Sequence, residues 1–338
     1  MQFIKYSSIE NSYRDKFMDI IREEGKDGGE WVVMEKVHGA QFTIYYDGAE
    51  VLASTRTAFL TPDMDFYNWQ DVVAVNREKL LQLYAILKAQ NPAIQEVAVY
   101  GELFGGSYPH PDVPKVKTAK RLQKGVFYHP DNLFYAFDIR VDGKYLTVDE
   151  TNSLFEQTGF FYARPLFRGT LEECNQYADD FPSKISEWLG LPPIAENIAE
   201  GIVIKPIDAR FIRLGDRVIL KSKNEKFKER KSLKNRPPSP AEEPLSETAT
   251  TLQEELDALI TENRLQNVLS KKGEMPYPIP QDYFGQIMKE FSADIWEEFG
   301  KDFQGQFDQL DKKEQKRLSK AVNQEVSTLV RQTLFSNH

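Results

Sequence analysis

The chain has 338 residues, 41% of them hydrophobic, and a formal net charge of -9 at pH 7. That length can bury a substantial core and predicts two domains, while the acidic balance excludes a uniformly basic nucleic-acid coat protein. Cys174 is the single cysteine, which excludes an intrachain disulfide. One Cys with four scattered His also excludes a zinc site. The opening Met1-Gln2-Phe3-Ile4-Lys5 lacks the hydrophobic core of a signal peptide, and no run reaches membrane length. A soluble, cytoplasmic protein with no membrane partner is expected.

In chain order, apolar strands are predicted from Trp31 to Val37 and from Gln41 to Tyr46, with a hairpin at Asp47-Gly48 and strand-like alternation to residue 57. Lys36 ends the first strand, in Lys36-Val37-His38-Gly39. A lysine held on a strand end, with a glycine three residues on, can present one amine to a phosphorus atom because glycine permits close backbone approach. Lys36 is therefore a candidate covalent nucleophile. Lys26 has the same spacing to Gly29 but follows no apolar strand, so it reads as a solvated turn residue. Residues 70–90 carry Val73, Leu80, Leu81, Tyr84 and Leu87 at helical spacing and predict an amphipathic helix ended by Asn91-Pro92.

Strands are predicted next at 96–104, 133–141 and 145–148, helices at 149–157 and 171–189, and strands at 201–206 and 217–222. The proline-rich stretch 237–245 reads as a linker. Beyond it, 246–271, 281–298 and 309–334 are helical without strand signals, which predicts an all-α domain over 246–338 behind a first domain over 1–236.

Charges interrupt the apolar strands of the first domain at four places: Glu102 before Gly105-Gly106, Asp138 in an aromatic strand, Glu200 and Lys205 around Gly201 to Ile204, and Lys221 and Lys223 at a strand end. Strand alternation points Lys221 and Lys223 the same way, and convergent lysines imply an anion. Residues 215–236 hold nine Lys and Arg against three acids, whereas 242–262 hold seven acids and no base. A basic run directly after a phosphate-binding strand suggests a polyanion track, against the alternative of a solvated face.

The order Lys36-Val37-His38-Gly39, Arg56, Gly101-Glu102-Leu103-Phe104-Gly105, Phe134-Tyr135-Ala136-Phe137-Asp138, Glu200-Gly201-Ile202-Val203-Ile204-Lys205 and Leu220-Lys221-Ser222-Lys223 resembles the motif series of covalent nucleotidyltransferases. The chain resembles the RNA ligase 2 family of phage and RNA-editing ligases most closely, over nearly its whole length. DNA ligases and capping enzymes would continue from the last strand into a five-stranded barrel, whereas this chain turns helical. The resemblance implies an α+β fold: a nucleotidyltransferase domain of antiparallel sheets with flanking helices, followed by a small all-α domain.

It also implies an ATP-dependent RNA ligase, with Mg2+ or Mn2+, acting as a monomer on RNA bearing 3'-OH and 5'-phosphate ends, at nicks in a duplex. Lys36 would carry AMP. Nucleotide contacts would come from Glu35, Val37, His38, Gly39, Arg56, Glu102, Phe137, Lys205, Lys221 and Lys223, with Phe137 stacking on adenine, and Glu200 would help hold the metal. RNA contacts would come from Gln41, Lys226, Lys228 and Arg264. Ala40-Gln41 stands where the family commonly has threonine then asparagine, and Thr57 to Phe59 where a glycine is usual after the arginine. Read without the resemblance, Phe137 is a core aromatic, Glu102 a turn anchor, His38 a packed imidazole and Asp138 a fold anchor. The competing functions are a DNA-ligase-type or capping-type enzyme and a non-catalytic nucleic-acid-binding relative.

Overall fold

A computed structural model of the chain describes all residues except 123, 229–244, 274, 277, 278 and 336–338. The linker expected at 237–245 thus lies almost wholly outside the described residues, as do Arg230, Lys231 and Lys234. The chain divides into two compact units, Met1–Lys226 and Phe227–His338.

In the first unit β1 (Glu10–Asn11) leads to α1 (Asp15–Glu23), then β2 (Trp31–Glu35), β3 (Ala40–Tyr46) and β4 (Val51–Ser54). Next come α2 (Trp69–Gln90), β5 (Val97–Gly105), β6 (Asn132–Val141), β7 (Lys144–Tyr145), α3 (Val148–Thr158) and β8 (Pro165–Gly169). The short helices α4 (Leu171–Asn175) and α5 (Ile185–Trp188) precede β9 (Gly201–Pro206) and β10 (Leu220–Lys223). They build two sheets, ordered β1-β10-β9-β2-β8 and β4-β3-β5-β6-β7. Every pairing is antiparallel except β1 with β10. The α+β architecture matches the expectation.

Alternation along β2, β9 and β10 sets the layers. Trp31, Val33, Ile202, Ile204 and Leu220 bury one face of the first sheet against Phe17, Met18 and Ile21 of α1 and Leu171 and Cys174 of α4. The alternate residues, Val203, Lys205, Lys221 and Lys223, therefore face the second sheet. That sheet buries Phe42, Ile44, Val97, Val99 and Ile139 under α2 and α3. Between the sheets lies an aromatic layer of Tyr6, Tyr45 and Tyr100, joined by Phe137 and Val203.

Local chemistry explains where the predicted elements shift. α2 spans the expected residues, but its buried face is Trp69, Val72, Leu80, Leu83 and Leu87, with Val73, Leu81 and Tyr84 flanking it. The stretch expected as one helix at 171–189 is two short ones. A capping box at Thr170 and Glu173 starts the first, Pro182 cannot donate a helical hydrogen bond, and Asp179 and Asp180 accept bonds from Ser222 and Asn224 instead. Residues 217–219 precede β10, with Arg217 making only an isolated bridge to Phe211.

The second unit contains α6 (Glu247–Leu259), α7 (Glu262–Ser270), α8 (Phe284–Gln309) and α9 (Lys312–Val330), and no strand among the described residues. Thr261 caps α7 through the Arg264 N–H, which divides the helix expected over 246–271. Ile287, Phe291, Ile295 and Phe299 of α8 and Leu318, Val322, Val326 and Val330 of α9 recur every four residues and form the core with α6 and α7. No helix among the described residues is long and apolar enough to cross a membrane.

Candidate active site between the two sheets

Lys36 follows β2 directly. Its N–H donates to the Gly201 carbonyl at 2.9 Å, continuing the ladder that pairs Glu35 with Ile202. The same glycine pairs with Lys223 across β9 and β10. Gly201 has φ 149°, and a Cβ there would sit 2.0 Å from the Ser222 carbonyl oxygen, so only glycine permits this approach. The tight crossing brings Lys36, Glu200 and Lys223 together from segments far apart in sequence.

Glu200 is the hub. Its carboxylate, 1% exposed, receives the Lys36 ammonium at 2.8 Å on Oε2 and the Lys223 ammonium at 2.8 Å on Oε1, with His38 Nδ1 3.3 Å from Oε2. Both carboxylate oxygens of Glu200 thus face an ammonium group. Burial pushes the Glu200 carboxyl up, but Lys223, Lys36 and His38 together hold it well below the usual range, so it is ionised. Lys221 lies half-buried on the same face of β10 as Lys223, in the row Lys221, Val203 and Met34.

Glu102 faces this cluster from β5, paired with Gln41 of β3 and Tyr135 of β6. Burial raises its carboxyl to about 7, Lys36 pulling it down, Glu200 pushing it up and Arg56 pulling it down. Lys36, Glu200, Arg56 and Glu102 therefore share one electrostatic environment. The Gly39 backbone N–H also favours the ionised form of Glu102, and a Cβ on Gly39 would lie 2.2 Å from the Leu103 carbonyl oxygen. The motif glycine thus allows β2 and β3 to turn against β5. Val37 is buried, and the His38 N–H donates to the Tyr128 hydroxyl at 3.0 Å.

Other expected contacts are already engaged elsewhere. Glu35, on the opposite face from Lys36, accepts from Ser183 Oγ at 2.6 Å and the Lys184 N–H at 2.7 Å. Burial nevertheless raises its carboxyl to about 7. Lys205 donates to Asp138 at 2.8 Å and to the Phe137 carbonyl at 2.9 Å. Asp138 also takes Arg217 at 2.8 and 3.2 Å and the Tyr6 hydroxyl, which ties β6 to the first sheet. Phe137 is the extra residue of a β-bulge, since Tyr100 pairs with Asp138 and Gly101 with Ala136. The bulge lets Phe137 and Asp138 point toward the same sheet despite being consecutive. The Phe137 ring packs 5.1 Å from that of Tyr6.

The expected RNA contacts are divided between the two units. Gln41 donates to Thr43 Oγ1 at 2.7 Å, and its buried Oε1 lacks a hydrogen-bond donor among the described residues. Lys226 donates to the Gly125 carbonyl at 2.7 Å in the first unit. In the second unit, the Lys228 carbonyl accepts from Asn263, and buried Arg264 pairs with Asp294 at 2.8 Å. Sequence reasoning passed over Tyr128, Ser183, Tyr6 and the partner role of Arg217. For Arg217 a signal existed, a cation heading the apolar run Val218-Ile219-Leu220. The other three resemble ordinary core or loop residues until their partners are known.

No group of three or more His, Cys, Asp and Glu side chains converges as a metal cage among the described residues. Glu200, buried and ionised, has the donor chemistry of a hard-cation site in which one carboxylate and substrate phosphates share the ion.

A family model described as RNA ligase matches residues 29–223, and one described as T4 RNA ligase 2 C-terminal matches residues 242–328. The chain belongs to the RNA ligase 2 family. Among curated relatives of this family, the mitochondrial RNA-editing ligase 2 of Trypanosoma brucei brucei is 32% identical over 228 residues, 60% of this chain and 55% of the relative. The mitochondrial RNA-editing ligase 1 is 30% identical over 233 residues, 60% of this chain and 49% of the relative. The chain thus spans about half the length of the curated relatives it matches. A solved structure of Naegleria gruberi RNA ligase aligns over 67% of this chain and 58% of that one, at 18% identity and TM-score 0.46. Another, with ATP and Mn, aligns over 67% and 57% at TM-score 0.44 and 18% identity.

Proposed function

We propose that this RNA ligase 2 family member seals RNA 3'-OH and 5'-phosphate ends at nicks in a duplex, using ATP and a divalent cation through a covalent lysine–AMP intermediate. The observation that carries this reading is the Lys36–Glu200–Lys223 cluster, a nucleophile candidate fixed by one buried carboxylate beside a second ammonium. In the first step Lys36, having released a proton to solvent as its pairing with Glu200 opens, forms an N–P bond from its amine to the α-phosphorus of ATP. The bond to the bridging oxygen breaks, and pyrophosphate leaves with the electron pair. In the second step an RNA 5'-phosphate oxygen displaces the lysine and forms a phosphoanhydride to AMP. In the third step a 3'-hydroxyl attacks the RNA 5'-phosphorus, AMP leaves, and a phosphodiester remains.

The residues divide this work. Glu200 holds the Lys36 side chain in place, and that ion pair must open before attack. Lys223 and Lys221 lie where the charge of the pentavalent phosphorus develops and stabilise it there. Arg56 and Glu102 contact the nucleotide, and Phe137 offers its ring to the adenine. A divalent cation, when bound at Glu200 and the phosphates, would neutralise charge on the triphosphate. Residues 1–236 carry nucleotidyl transfer and 246–338 engage the RNA, with the chain acting as a monomer in the cytoplasm.

The test is incubation with ATP or GTP labelled at the α-phosphate, followed by a denaturing gel. Wild type should retain label from ATP and not from GTP, and Lys36→Ala should retain none. Label from GTP would point to a capping-type enzyme, and label persisting in Lys36→Ala would overturn the nucleophile assignment.

A further inference from the structure

The second unit carries a groove of about 1210 Å³ that none of the chemistry above uses. It is lined chiefly by α9, with Lys312, Lys316, Lys320, Asn323, Gln324 and Arg331 along it and Phe307 of α8 at its side. No acidic side chain among the described residues lines it. Lys312, Lys316 and Lys320 are exposed, and none has a carboxylate partner among the described residues. Between Lys312 and Arg331 the sequence has six basic residues against Glu314 and Glu325. Glu314 is turned away, accepting the Ser246 N–H at 2.8 Å.

Spacing gives this row its meaning. Lysines four residues apart on a helix stand on one face and rise about 6 Å from one to the next, close to the separation of successive phosphates along a polynucleotide strand. Three ammonium groups kept on one face without counter-charges repel one another, an arrangement that a polyanion relieves. Asn323 and Gln324 continue the row with neutral donors. Protein–protein interface cores are depleted in lysine, and flexible lysine stems match backbone phosphates without reading bases.

We propose that the α9 row Lys312, Lys316 and Lys320 is a sequence-independent binding site for the phosphate backbone of the RNA substrate. This rests on the ligase reading above and adds a location for the RNA on the helical unit.

The test compares the full chain with Lys312→Ala/Lys316→Ala/Lys320→Ala and with the corresponding triple Lys→Arg variant. Alanine suits exposed helix positions, and enzyme–AMP formation from ATP, which involves no RNA, serves as the folding control. Affinity for nicked duplex RNA is measured by gel shift from 0.05 to 0.3 M salt. If each lysine neutralises one phosphate, the triple alanine variant lowers the slope of log affinity against log salt by about 2 to 3. It should also weaken binding on the order of 100-fold at 0.1 M salt. Sealing falls at limiting RNA and recovers at high RNA, and the arginine variant keeps both slope and affinity. Unchanged slope and affinity in the alanine variant, with a wild type that seals, overturn the site and leave the ligase reading standing. A wild type that forms enzyme–AMP but neither binds nor seals nicked RNA overturns both.

Discussion

Asp138 offers a severe test of how the first unit is held together. Its carboxylate, 3% exposed, neutralises Lys205 and Arg217, which are 3% and 4% exposed, and accepts the Tyr6 hydroxyl. Asp138→Asn keeps the shape and removes the charge, so two buried cations lose their counter-ion. Removing one partner of such a buried pair costs about 3–5 kcal/mol. For a unit of this size that corresponds to a fall in Tm of roughly 6–20 °C. Calorimetry of the full chain, with Trp fluorescence reporting mainly on the first unit, measures it. Burial pushes the Asp138 carboxyl up, yet Arg217 and Lys205 hold it well below its ordinary value of 3.8. Its contribution is therefore present above the unfolded pKa and is lost as pH falls through the lower folded one. The wild-type and variant curves should converge only below about pH 4. Replacing Asp138, Lys205 and Arg217 together with apolar residues should cost less than Asp138→Asn alone. A Tm change under about 2 °C for Asp138→Asn would refute the network as a structural tie.

Three further outcomes are expected. Gly201→Ala places a Cβ 2.0 Å from the Ser222 carbonyl oxygen, so it should part β9 from β10, destabilise the fold by more than about 2 kcal/mol and sharply reduce enzyme–AMP. Normal label in that variant would show that the crossing tolerates change. Glu35 has its carboxyl raised to about 7 by burial, so its favourable term is full below the unfolded value near 4.5 and disappears as pH rises through 7. Glu35→Gln should flatten the wild-type loss of stability between pH 5 and 8 by up to about 3 kcal/mol in urea titrations, and parallel profiles would contradict this. Residues 1–240, which contain the whole first unit, should fold and take up AMP at Lys36 yet bind nicked RNA weakly. Undiminished sealing by that fragment would remove the helical unit from substrate binding.

By itself the sequence determined the strand and helix pattern wherever periodicity is strong, from Trp31 to Tyr46, over α2 and across the helical unit. It also marked Lys36, Glu102, Glu200, Lys221 and Lys223, because a charge inside an apolar strand is costly without a partner or ligand. Tertiary structure alone decided which partner each charge has. Lys205 and Glu200 stand five residues apart, yet Lys205 turns to Asp138 while Glu200 collects Lys36 and Lys223. Glu35 and Lys36 are adjacent, and strand alternation sends them to opposite faces. The Phe137 bulge and the fracture of 171–189 depend on register and on hydrogen bonds from residues dozens of positions away. Local propensity reads only near neighbours along the chain, whereas a buried ion pair is fixed by which strands come to lie side by side.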